Sequence, residues 1–162
     1  MRASIARVSI KGRVPGEVGL PKAAVPVLSV SPAGAAGDYN RYRMESLAGD
    51  ADQALLLVTE DLLATLNAAG WPVAPGDLGE NVTLRGLAES ALGPGVRLEA
   101  GAVRLEVTKA CVPCRELYTL PYLGTERGPA FLKAATGRRG WYARVLAGGE
   151  LRPGDPVRLA DA

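Results

Sequence analysis

Glycine and proline punctuate this chain so densely that it has little room for long elements. The sequence holds 20 Gly and 12 Pro in 162 residues, nearly a fifth of the chain, against an average near ~12%. Gly supplies the positive-φ conformations of turns and Pro removes a backbone donor, so each tends to end the helix or strand it meets. No Gly-X-Y period runs through them, which excludes a collagen-like chain and points to a turn-rich, mainly β domain. A length of 162 residues with 48% hydrophobic and 22% charged residues fits a single globular domain over residues 1–162 with a core of its own.

The turn signals divide the chain into short segments. Residues 3–10 alternate apolar and polar with period two and predict a strand, and 11–19 form a loop. Residues 25–30 predict a second strand, with Pro26 marking an edge or a strand start, and 31–38 form a Gly/Ala/Pro loop. The apolar run 53–58 predicts a buried strand. Thr59 then offers an N-cap, with Glu60 and Asp61 in the first turn, Leu62, Leu63 and Leu66 on one face, and Gly70 as a stop. The loop 75–81 leads into Val82–Leu84, and 103–108 alternate as a further strand. Pro129 at a first helical position, followed by Phe131, Leu132 and Ala135, predicts a second helix, with Arg138 and Arg139 matching the dipole at its end. Residues 141–146 and 156–159 supply the last strands. Many short strands and two helices predict a β-barrel or sandwich.

Composition removes several chemistries. The chain has no His and only two Cys, so Ser-His-Asp and Cys-His catalysis, His-ligated zinc and a disulfide framework are all excluded. Aromatic residues make up 5%, too few for a base-stacking platform, so no nucleic-acid partner is expected. No apolar run approaches ~18 residues, and 1–16 lack the apolar segment of a signal peptide, so the expectation is a cytoplasmic protein with reduced thiols and no membrane partner.

Charge is uneven. Residues 1–43 carry 7 basic and 2 acidic residues, 44–102 carry 2 and 9, and 103–144 carry 8 and 3. If the two basic segments meet in the fold, they form a face for an anionic ligand, and the dominance of Arg suits phosphate or carboxylate.

The two cysteines, Cys111 and Cys114, lie three apart just after the strand 103–108. Only a thiolate is a good nucleophile or metal ligand, and the flanking Lys109 and Arg115 favour that form. Such a thiolate would carry sulfur as a persulfide, bind a soft metal or exchange disulfides. A dithiol oxidoreductase ranks behind the first two, because no βαβ pattern surrounds the pair. Asp77 and Glu80 offer an acid/base pair, although loop carboxylates are ordinarily solvated.

Several short motifs follow one another along the chain: Gly19-Leu20-Pro21-Lys22, Gly37-Asp38, Pro75-Gly76-Asp77-Leu78-Gly79-Glu80-Asn81-Val82-Thr83, Pro113-Cys114, Gly140-Trp141-Tyr142-Ala143-Arg144-Val145 and Pro153-Gly154-Asp155. In this series the chain resembles the MOSC family, the domain found at the C-terminus of molybdenum cofactor sulfurases and as stand-alone bacterial proteins. The resemblance implies a mainly β, barrel-like fold with a few short helices. It implies that Cys114 carries sulfur or ligates the molybdenum of a bound molybdopterin cofactor, with Cys111 auxiliary as a resolving thiol or a space-filler. It implies a pyridoxal-phosphate cysteine desulfurase as an upstream partner, so that pyridoxal phosphate enters only through that partner, or a molybdoenzyme as recipient. The phosphate of such an anionic cofactor would find Lys22, Arg43, Lys109, Arg115 and Arg144. Asp38 and Glu80 lie in the matching loops, Asn81 would meet the pterin edge, and Tyr142 would stack or hydrogen-bond. Two departures stand out: many relatives have Arg where this chain has Cys111, and a His near the Gly-Asp turn where this chain has Asn40. Three functions follow: a sulfur-carrier or molybdenum-cofactor-binding domain, a cofactor-dependent reductase of N-hydroxylated compounds, or a non-catalytic accessory module.

Overall fold

The computed structural model describes residues 2–160. Its strands are β1 (Ser4–Ile10), β2 (Ala23–Val25), β3 (Leu28–Ser31), β4 (Gly34–Ala35), β5 (Leu55–Thr59), β6 (Val82–Arg85), β7 (Arg97–Ala100), β8 (Val103–Ala110), β9 (Trp141–Ala147), β10 (Gly149–Leu151) and β11 (Arg158–Ala160). The helices are α1 (Arg41–Ser46), α2 (Glu60–Ala68) and α3 (Gly124–Ala134), with three short 3-10 turns. Strands dominate, as the turn density requires. Among the described residues no helix is long and apolar enough to cross a membrane.

Eight strands form one sheet in the order β11-β7-β8-β9-β5-β6-β1-β2, and β10-β3-β4 form a second. The pairings are antiparallel except β5 with β6, whose connection runs through α2. The outer strands β11 and β2 do not pair with each other, so the barrel expected from the sequence is not established by a closed ladder. The two sides of the large sheet do meet at an isolated bridge between Ser4 and Pro156. Three backbone hydrogen bonds join 154–157 to Ala3 and Ile5 there, including Ile5 N–H to Asp155 O at 2.9 Å.

Proline explains one difference from the sequence expectation. Residues 25–30 do not make a single strand. Pro26, with no N–H to give, falls between β2 and β3, and the two pieces join different sheets. A second difference is at α3. It begins at Gly124, so Pro129 lies inside the helix and not at its first position. The stretch before Pro129 is polar and glycine-flanked, and its helical start is set by the packing of Leu117, Leu120 and Leu123 beneath it.

The helix α2 forms as its sequence dictates. Thr59 Oγ1 accepts from Leu62 N–H at 3.0 Å, and Gly70 takes φ +94° at the far end. Leu62, Leu63 and Leu66 face a second core with Leu117 and Phe131. The strand β5 is buried along its whole length because it separates two cores. Leu55 and Leu57 point into the core enclosed by the sheets, while Val58 joins the helix-side core. A strand covered on both faces reads as a continuous apolar run, and period-two alternation disappears.

Candidate functional site

Strand register builds the floor of the site. Leu56 of β5 pairs with Tyr142 of β9, and Tyr142 pairs with Lys109 of β8. Directly paired residues share a face of the sheet, so Lys109, Tyr142 and Leu56 form a row across three strands. Asn81 extends the row at the start of β6: its N–H donates to Leu56 O at 2.9 Å and its Oδ1 accepts from Leu56 N–H at 3.1 Å. The β8–β9 ladder is irregular between Val107 and Lys109, which aims Lys109 off the regular pleat beside the thiol loop.

Over this floor lies a cleft of about 580 Å³ whose lining includes Asn40, Gln53, Lys109, Cys114, Arg139 and Tyr142. Arg115 and Glu116 complete one wall, with Tyr42 and Val112 exposed at the rim. Glu116 also pairs with Arg41 at 3.4 Å. Behind the cleft is a smaller chamber of about 150 Å³ reaching Lys22, Asp38, Arg43 and Asn81. Asn40, Gln53 and Tyr142 line both spaces.

Cys114 is exposed in the cleft, and Cys111 is buried. The segment 111–114 continues from β8, with Cys111 N–H donating to Gly140 O at 2.9 Å. The Cys111 thiol donates to Tyr142 Oη at 3.3 Å, and burial pushes its pKa above the usual thiol value, against the opposing effect of Arg139. Burial likewise raises the Tyr142 hydroxyl well above the ordinary phenol range. Both groups are therefore neutral at physiological pH.

Arg139 is the electrostatic centre of the site. Its Nη1 donates to Cys114 Sγ at 3.2 Å and to Val112 O at 3.1 Å, and its Nε and Nη2 both donate to Leu78 O at 3.3 Å. Burial opposes its charge, while the ionisable groups Cys111, Cys114 and Tyr142 around it favour it, and the net effect raises its pKa. The side chain is only 7% exposed, and among the described residues no carboxylate pairs with it. A buried cation without a counter-ion is costly, so Arg139 makes this part of the cleft favourable to a negatively charged group. Gly140 holds Arg139 in place. Its φ is +92°, and a Cβ there would strike the Leu57 carbonyl, so the chain passes flush against β5 only as glycine.

The other residues singled out from the sequence divide into three sets. Lys109 and Arg115 line the cleft with Cys114, and neither forms an ion pair among the described residues. Lys22, Asp38, Arg43 and Asn81 line the inner chamber, but their polar atoms are largely engaged. Lys22 Nζ is 2.7 Å from Asp38 Oδ1 with both side chains largely buried, and Asn81 Nδ2 donates to Asp38 Oδ2 at 2.9 Å. Arg43 donates to the carbonyls of Asp50, Ala33 and Gly49, and burial lowers its pKa. The third set is not brought to the cleft. Arg144 pairs with Glu106 at 2.8 Å and Asp52 at 3.1 Å. Glu80 is fully buried and not the solvated loop carboxylate expected, with Oε1 accepting from Gly76 N–H at 2.5 Å.

Sequence reasoning assigned Arg139 only to the end of α3, met Asn40 only as a departure from the family pattern, and gave Gln53 no role beyond the apolar run 53–58. A signal for Arg139 existed: it stands just before a strand paired with the one that leads to the cysteines, so pairing alone places it opposite their loop.

Fold and site together define a mostly β domain that presents one exposed thiol, backed by a buried guanidinium, in a cationic cleft. Residues 44–158 match the MOSC domain, and the chain belongs to that family, which is associated with molybdenum cofactor binding. The whole chain superposes on 97% of the YuaD protein of Bacillus subtilis with a TM-score of 0.80 at 20% identity. YiiM from Geobacillus stearothermophilus is similar over 98% of this chain and 75% of its own, with a TM-score of 0.71 and 25% identity. YiiM from Escherichia coli is similar over 100% and 71%, with a TM-score of 0.67 and 23% identity. No protein of curated function matches the chain in sequence.

Proposed function

We propose that this protein binds a molybdenum cofactor in the cleft and acts on it through Cys114, as metal ligand or as sulfur acceptor. The observation that carries this reading is the pairing of an exposed thiol with Arg139, a buried cation that has no carboxylate partner. Such a pair suits an anionic sulfur or a bound anion, whereas a structural cysteine pair would have both thiols enclosed.

The donor set fits the cofactor. Among the described residues no group of three or more His, Cys, Asp or Glu could hold a bare metal ion, so a metal here must bring most of its ligands with it. When bound, the cofactor supplies molybdenum on a dithiolene whose pterin also carries a phosphate. Lys109 and Arg115 are the free cations for that phosphate. Cys114 is the single thiol available to the metal, and Arg139 stabilises negative charge on its sulfur. Tyr142 and the neutral Cys111 thiol close the floor behind it, which keeps Cys114 as the one reactive sulfur.

The same thiolate supports sulfur transfer. Cys114 Sγ⁻ would attack the outer sulfur of a donor persulfide. The new bond joins Sγ to that sulfur, the donor S–S bond breaks, and the donor leaves as a thiolate stabilised by its own protein. No oxidant is consumed. A cysteine desulfurase is the donor class that this step requires, and a molybdoenzyme the recipient class.

The test is Cys114→Ser in protein produced with the cofactor available. Molybdenum content by elemental analysis and sulfane sulfur by cyanolysis should both fall to background. Wild-type levels of both in the variant would defeat the proposal.

A further inference from the structure

The loop that carries Leu78 is closed from within by one buried side chain. Glu80 is fully buried. Its Oε1 accepts from Gly76 N–H at 2.5 Å and from Thr83 Oγ1 at 3.4 Å, while Oε2 has no hydrogen-bond partner among the described residues. A carboxyl oxygen enclosed without a donor is a standing cost to the fold, and an apolar side chain of the same size would avoid it. What the carboxyl adds is a bond from residue 80 back to residue 76, across Leu78.

Leu78 depends on that closure. It stands between Gly76 and Gly79, which take φ of +93° and +90°, and glycine has more backbone freedom than any other residue. Other bonds hold the first half of the loop. Gly76 O accepts from Lys22 N–H at 3.0 Å, and Asp77 Oδ2 accepts from Ala74 N–H at 3.0 Å and from the Tyr122 hydroxyl at 2.9 Å. Glu80 Oε1 and Gly79 N–H, which donates to Gly76 O at 3.2 Å, tie the second half to the first. The carbonyl of Leu78 accepts from Nε and Nη2 of Arg139, both at 3.3 Å. Nη1 of the same guanidinium reaches Cys114 Sγ at 3.2 Å. A guanidinium is planar and rigid, so its nitrogens turn as one body. An orientation set at the Leu78 carbonyl is therefore transmitted to the nitrogen at the sulfur.

We infer that Glu80 is a positioning residue for Cys114: by closing the loop on Gly76 it fixes the Leu78 carbonyl, and that carbonyl orients the Arg139 guanidinium against the sulfur. The inference deepens the reading of Cys114 as the reacting thiol and rests on it only through the contact between Arg139 and Cys114. Glu80 itself does not line the cleft.

The experiment measures the rate of Cys114 alkylation by iodoacetamide in the full chain, with continued protection of Cys111 as the sign that the fold is intact. Glu80→Met fills the same volume without an acceptor and should slow alkylation about fivefold, short of the roughly tenfold loss expected for Arg139→Met. Glu80→Gln keeps an acceptor oxygen for Gly76 N–H and should restore most of the rate. In an Arg139→Met background, Glu80→Met should change the rate by less than about twofold, because the route to the sulfur is already cut. A general loosening of the fold would act equally in both backgrounds. Should Glu80→Met fail to fold, Glu80→Asp, one methylene short of Gly76, carries the same comparison. Unchanged alkylation in a folded Glu80→Met variant, a loss that persists in the Arg139→Met background, or an Arg139→Met variant as fast as the wild type would overturn the inference. Molybdenum content does not enter this assay, so the inference and the cofactor reading fail on different measurements.

Discussion

Replacing Glu80 by Gln should flatten a pH dependence of stability that the wild-type fold builds in. The Glu80 carboxyl is fully buried, and among the described residues its Oε2 has no hydrogen-bond partner. Burial, opposed by the Gly76 N–H bond, raises its pKa from 4.5 to about 7. Between those values the folded chain holds a proton that the unfolded chain has released. Stability from this group is therefore complete below pH 4.5, falls as pH rises to 7, and is level above it. At ~1.4 kcal/mol per pH unit, the loss across that window comes to about 3 kcal/mol. Gln cannot titrate, so the variant lacks this component. Urea unfolding of both proteins from pH 4.5 to 8 measures it, with other titrations common to the pair cancelling in the difference. The variant should gain on the wild type as pH rises, by about 3 kcal/mol between the ends of the window. Parallel curves, or a difference that grows in the wild type's favour, would refute the reasoning.

Other outcomes follow from the site. Titration with a thiol reagent should find one fast thiol in the native protein, Cys114, and a second only on unfolding, because Cys111 is enclosed; two fast thiols would contradict the burial. Arg139→Met should slow alkylation of Cys114 by roughly tenfold through loss of the neighbouring positive charge, with Arg139→Lys restoring part of the rate. The same Met variant should lose about 2–4 kcal/mol in urea unfolding, since the Leu78 and Val112 carbonyls lose their donor. Lys22→Met leaves Asp38 without its cation in a buried setting and should cost about 3–5 kcal/mol; adding Asp38→Asn should recover a substantial part, as a double-mutant cycle would show.

Much of the domain is visible in its residues, and the misses share a cause. The helix α2 is written locally, in Thr59, three leucines and Gly70, so local reading finds it. The start of α3 is not, because Gly124 to Gly128 carry no apolar period and take their conformation from the leucines packed against them. The helix α1 is six mostly polar residues held by the Asn40 cap, and it shows no amphipathic signal. At the site, Cys114, Lys109 and Arg115 are neighbours in sequence, and their shared cleft follows from that. Arg139 is separated from Cys114 by a helical excursion, and its other partners are carbonyls, which every residue has. Glu80 misleads for a related reason: a glycine-rich loop suggests exposure, yet this loop folds inward and its backbone binds only one of the two carboxyl oxygens.

The excursion itself has a consequence for how this domain can vary. Cys114 and Arg139 sit just past the last rung of one ladder, where Ala110 faces Trp141. Their mutual distance is thus dictated by two adjacent strand ends, whatever the intervening 24 residues do. Extra chain spliced into the exposed turn 136–137 that follows α3 would lengthen the tether without parting sulfur from guanidinium. New surface could be added at that point while the two strand ends that fix sulfur and guanidinium stayed as they are.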